Sequence, residues 1–213
     1  MLIAEDLLLL VTDEVTGKVR GHGGRVDYAL AAALLCDLEG LGRIRLTTSR
    51  ESAHRKNRVV VDDPSPAGDA LLDRALESLA ARDRTAPAAV RLLKKGLRRT
   101  LYARLVDAGV LGRERPPVLG LLGVHRHPTL DPRPASEARE AIVHRVLGLS
   151  DGRPGTSALI GCLAVMGAVP DVVPESHPMV TRAELRRQAR AGLEACWPAK
   201  AARRAYRDDA SAA

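Results

Sequence analysis

The sequence predicts a mainly α-helical single globular domain with two short β-hairpins. Three observations lead there. Apolar residues recur at three- and four-residue spacing along most of the chain, the signature of helices with one buried face. The core builders are aliphatic: there is no Phe, one Trp and three Tyr, which suits helices better than a sandwich built on cross-strand aromatic pairs. Glycine and proline mark breaks between several stretches: Gly40 and Gly42 stop one, and Pro64 and Pro66 break the chain before the next. At 213 residues the chain makes one domain with a substantial core. The domain is expected over 1–197, and 198–213, basic and Ala-rich, reads as a frayed tail.

Residues 2–11 form a first helix, with Ile3, Leu7, Leu10 and Val11 on one stripe. Glu5 and Asp6 point apart on it and read as capping or surface carboxylates. The stretch 21–46 organises the rest. Its middle, 26–39, is apolar on nearly every face and reads as a buried helix, capped by Asp27 and stopped by Gly40 and Gly42. Residues 43–46 alternate and 59–61 are β-branched, giving a hairpin with a long basic tip between them. A helix over 69–82 follows. A longer one over 85–108 has Leu93, Leu97, Leu101 and Leu105 as its buried stripe. Residues 112–128 make a second hairpin-like element. Helices over 136–147 (capped by Ser136), 156–167 and 181–195 complete the series.

Composition narrows the function. The chain is 46% hydrophobic and 28% charged, hence folded, and its formal charge of +7 favours anionic partners: nucleic acid, an acidic membrane surface or acidic small molecules. Cys36, Cys162 and Cys196 are far apart, form no CxxC pair and read as core filler in a reducing cytoplasm. Residues 1–10 lack a basic n-region and do not read as a signal peptide. The longest later apolar run, 156–169, falls short of the roughly 20 residues a membrane span needs.

Chemistry is sparse. There is no GxxxxGK[ST], GxSxG or HExxH, and the six histidines are scattered. His125 and His127 would be two ligands at most, where zinc takes three or four. No enzyme, cofactor or metal is expected. Two features point to anions instead. The loop 20–25, with Arg20, His22 and Arg25 among three glycines, feeds a helix N-terminus, where unpaired N–H groups favour negative charge. Arg91, Lys95 and Arg98 fall on one face of the expected 85–108 helix, away from its leucines. A third feature, Val118, Leu119, Leu121 and Leu122 between basic flanks, suits a bilayer interface or a second subunit.

Four segments, in order and spacing, resemble the Golgi phosphoprotein 3 family of peripheral membrane proteins that bind phosphatidylinositol 4-phosphate: LIAEDLLLLVTDEVTGKV, LLCDLEGLGRIRL, LYARLVDAGVL followed by a hairpin and HRHPTLDP, and the late apolar helix. The resemblance covers about 2–197, and the Arg-, Ala- and Gly-rich usage suggests a bacterial member. It implies a buried helical core, amphipathic outer helices and a protruding hairpin used for membrane contact or self-association. It also implies a headgroup pocket: a family tryptophan falls on His22, an arginine on Ala31, and two further arginines on Lys95 and Arg98.

The expected function is therefore a cytoplasmic adaptor, peripheral on the cytosolic face of a membrane, that recognises an anionic phosphorylated lipid headgroup. Its candidate contacts are His22, Arg25, Lys95, Arg98, Arg20 and Arg91. Further expected partners are cytosolic segments of membrane proteins and a second copy of the chain through 112–128. The alternative is a nucleic-acid-binding protein whose basic hairpin acts as a wing. It is less favoured, because few aromatics are present to stack on bases.

Overall fold

Two helices near the start of the chain are apolar on almost every face, and both lie inside the molecule: α1 (Ile3–Val11) and α2 (Arg25–Gly40). The computed structural model describes residues 1–14, 16–20, 24–48, 57–113, 127–173 and 180–212. In α2, Ala29 and Ala31 to Ala33 are fully buried, and their single methyl groups let neighbouring helices approach closely. Packed on α2 are α1, α3 (Ala70–Ala80), α4 (Ala86–Leu93), α5 (Leu97–Asp107), α7 (Thr156–Met166) and α10 (Trp197–Ser211). A second tier, α6 (Arg133–Val146), α8 (Val169–Val172) and α9 (Arg182–Ala195), packs around α7. The result is the mainly helical domain expected from sequence.

The first hairpin is present and gains a strand. β1 (Ile44–Leu46), β2 (Arg58–Val61) and β3 (Arg84–Thr85) form an antiparallel sheet in that order, with Ile44 opposite Val61 and Arg58 opposite Thr85. A two-residue strand is too short to show alternation, so β3 left no sequence signal. The tip, 49–56, lies outside the described residues.

Three boundaries move. Gly24, not Asp27, is the N-cap of α2, leaving Asp27 in its first turn. The helix expected from Ser136 starts three residues earlier at Arg133, because Pro134 fits a first turn whose N–H groups make no bond within the helix. The helix expected over 85–108 is two. Gly96 takes φ +71, a left-handed conformation glycine accepts freely, and ends α4 before α5 begins. The leucine stripe survives the break: Leu93, Leu97, Leu101 and Leu105 are all buried.

The largest correction is at the C-terminus. Residues 197–211 are not a frayed tail but α10, packed against α2, α4 and α7. Pro198 sits in its first turn, and Ala199, Ala201, Ala202 and Ala205 are buried.

Buried charge holds α1 in place. Glu5 and Asp6 are buried, not on the surface. Glu5 accepts from Leu2 N (2.9 Å) and from Arg104 Nε (2.8 Å). Arg104 also reaches Asp69, the N-cap of α3, at 2.7 Å. Asp6 pairs with Arg153. Asp37 accepts from Ile3 N at 2.9 Å and Ala4 N at 3.4 Å, so the end of α2 caps the start of α1. Burial pushes the Asp37 carboxyl up to about 7, against the pull of those two donors.

Where α7 meets α9, the contact is backbone to backbone. A Cβ on Gly161 would fall 2.8 Å from Gly192 O and 3.1 Å from Cys196 Cβ, inside van der Waals contact. Gly161→Ala is therefore expected to lower stability by about 1–3 kcal/mol, the usual cost of overpacking, read as a lower Tm in thermal unfolding.

Candidate functional site

The start of α2, the α4–α5 turn and the end of α10 meet at one corner of the molecule. Arg25 places its guanidinium 5.1 Å from the Tyr206 ring centroid, and Tyr206 stands edge-on to Tyr28. Asp27 pairs with Arg98 of α5 (3.1 Å), bringing the N-termini of α2 and α5 side by side. The N-cap of each is a glycine, Gly24 and Gly96, and among the described residues neither N-terminus has a side-chain cap.

One turn further on, Tyr28 donates to Asp209 at 2.5 Å. Arg91 donates to Asp209 at 2.7 Å and to Asp208 at 3.2 Å, and Lys94 to Asp209 at 3.3 Å. The Lys94 ammonium also lies 3.7 Å from the Tyr28 ring centroid, a cation–π contact. Held first by Tyr28, then by Arg91 and Lys94, the Asp209 carboxyl drops to about 2.

The break at Gly96 rearranges the cations predicted from sequence. Arg91, Lys95 and Arg98 no longer lie on one continuous helix: Arg91 is in α4, Lys95 on the turn and Arg98 in α5. Arg91, with Lys94, turns onto α10, where carboxylates meet it. Lys95 is exposed on the turn and lines a groove of about 180 Å³ with Arg74, Ser78 and Thr100. Arg20 is exposed and lies 3.8 Å from Asp13. Ala31, on which the resemblance places an arginine, is fully buried. His22 and the apolar residues Val118, Leu119, Leu121 and Leu122 lie outside the described residues. The ends of that second segment are described: Leu111 bridges Thr129, Gly112 N donates to Pro128 O at 2.7 Å, and His127 stacks on Tyr102 at 4.3 Å.

Sequence reading missed Tyr28, Lys94, Asp208 and Asp209. The signal for Lys94 was its spacing of three from Arg91. The two aspartates were hidden by treating 198–213 as a tail, although Trp197-Pro198 and the spacing of Ala201, Ala202 and Ala205 mark a helix.

These features define a helical domain with a cationic corner built on two uncapped helix N-termini, and no described helix is long and apolar enough to cross a membrane. The family model for Golgi phosphoprotein 3 (GPP34) matches residues 3–208, essentially the whole chain, and the protein belongs to that family. No curated protein matches the chain as a relative.

The Asp209 cluster carries a pH signature. A carboxylate whose pKa falls on folding adds stability above its ordinary 3.8, and that stability is lost as pH drops through about 2. Asp209→Asn is expected to lower Tm at neutral pH and to flatten the loss of Tm across that acid range, measured by circular dichroism melts at stepped pH.

Proposed function

We propose that the protein is a peripheral membrane adaptor that binds an anionic, phosphorylated lipid headgroup of the phosphatidylinositol 4-phosphate kind through its cationic corner. The observation that carries this reading is the pairing of two helix N-termini with glycine N-caps, Arg25 and Arg98 beside them and Lys95 exposed on the turn before Gly96, in a chain of the Golgi phosphoprotein 3 family. Free N–H groups at a helix start point toward an anion and add the positive end of the helix dipole. Arg98 supplies a planar fork for two phosphate oxygens, and Lys95 an exposed point charge. Asp27 holds Arg98 ready and yields it when phosphate competes.

Arg91 and Lys94 have a different part in this reading. Asp208 and Asp209 already occupy them, so they fix α10 against α4 and leave the headgroup to the turn beyond. One headgroup contact anchors a protein weakly, and a second attachment is needed. We assign that role to residues 112–128, whose apolar run between basic flanks suits insertion at the cytosolic face of a membrane or contact with a second copy. Cytosolic segments of membrane proteins are the proposed cargo. The reading is of a binding protein, with no catalytic role given to any residue.

The test is charge reversal of the two cations on the turn. Lys95→Glu with Arg98→Glu is expected to abolish co-sedimentation with liposomes containing phosphatidylinositol 4-phosphate while the helical circular dichroism signal is retained. Undiminished binding by a folded variant would remove this pocket from consideration.

A further inference from the structure

The three cysteines that sequence spacing keeps apart come together in the core, at the opposite end of α2 from the cationic corner. Cys36 lies near the end of α2, Cys162 in α7, and Cys196 at the joint between α9 and α10. Their sulfur atoms all lie within 4.8 Å of one another, Cys36 Sγ is 3.4 Å from Cys196 Sγ, and all three are free thiols. The packing that gathers them is specific. Gly161 has no side chain, so α9 rests directly on α7, and this carries the Cys196 Cβ to where a Gly161 Cβ would touch it.

Three sulfurs bound to one ion at about 2.3 Å stand about 4 Å from one another when they surround it in a plane. The separations here, 3.4 Å for one pair and none above 4.8 Å, are close to that spacing, so small rotations about the Cα–Cβ bonds are enough to converge on one ion. The donor set also selects the ion. Structural zinc takes four protein ligands. Two carboxylates follow Cys36 on α2, and both are committed elsewhere: Asp37 accepts from Ile3 N and Ala4 N, and Glu39 accepts from Trp197 Nε1 at 2.6 Å. Three soft donors, all buried, with no fourth such ligand grouped with them among the described residues, suit a soft monovalent cation. Cys196 is the N-cap of α10, whose first turn offsets part of the thiolate charge.

We propose that Cys36, Cys162 and Cys196 form a three-sulfur site for a soft, thiophilic cation of the Cu(I) class. Each metal–sulfur bond replaces an S–H bond, the displaced protons pass to solvent, and no atom changes oxidation state. The site joins α2, α7 and the α9–α10 joint at a single point, so loading it locks the last two helices onto the core.

The experiment uses the full-length, reduced protein without oxygen, titrated with Cu(I) supplied as its acetonitrile salt against the competing chelator bicinchoninate. One equivalent taken from the chelator, with copper X-ray absorption showing three sulfurs near 2.3 Å, is the expected result. Cys36→Ser and Cys196→Ser should each lose that equivalent. Three outcomes would overturn the proposal: copper left with the chelator, a copper shell dominated by nitrogen or oxygen, or serine variants that still bind one equivalent. The absorption spectrum of the unmutated protein decides the matter even where a serine variant does not fold.

Discussion

The structure depends on one constraint: α2 is apolar around its whole circumference and must be enclosed on every side. Among the described residues α1, α3, α4, α5, α7 and α10 do this, and the fully buried alanines of α2 leave no room for polar chemistry along its length. Polar and reactive groups are therefore displaced to its two ends. At the first end stand Arg25, Asp27 and Tyr28, which collect Arg91, Lys94 and Arg98 from α4 and α5 and Asp209 from α10. At the other end stand Cys36, Asp37 and Glu39, which gather two further cysteines, the N-terminus of α1 and the indole of Trp197.

This arrangement explains why the last helix matters. α10 touches both ends of α2: Trp197, with Cys196 before it, lies at one, and Tyr206 and Asp209 lie at the other. Its carboxylates neutralise Arg91 and Lys94, which would otherwise repel one another across one turn of α4. The glycine N-caps of α2 and α5 and the exposed Lys95 lie beyond these pairs, so the cations tied to α10 are distinct from the one on the turn.

Much of the fold was legible in the sequence, because helical period and glycine stops report burial directly. The buried stripe Leu93, Leu97, Leu101 and Leu105 was read correctly even though the helix carrying it is broken, since the stripe depends on spacing and the break depends on the conformation of Gly96. The candidate site was less legible. Which cations share a face depends on that same glycine. Which of them are neutralised depends on Asp208 and Asp209, more than a hundred residues away in sequence. The gathering of three cysteines was invisible for a related reason. It follows from the close approach of Gly161 and Gly192, a fact of helix packing that no local pattern encodes.

The central claim is that the cationic corner distinguishes a phosphorylated headgroup from negative charge in general. The most direct test is co-sedimentation of the unmutated protein with liposomes of phosphatidylinositol 4-phosphate, phosphatidylinositol or phosphatidylserine, matched in surface charge and held near physiological salt, where screening suppresses non-specific attraction. Preferential binding to the phosphorylated lipid is the predicted result. Equal binding to all three, or binding to none, would contradict the claim.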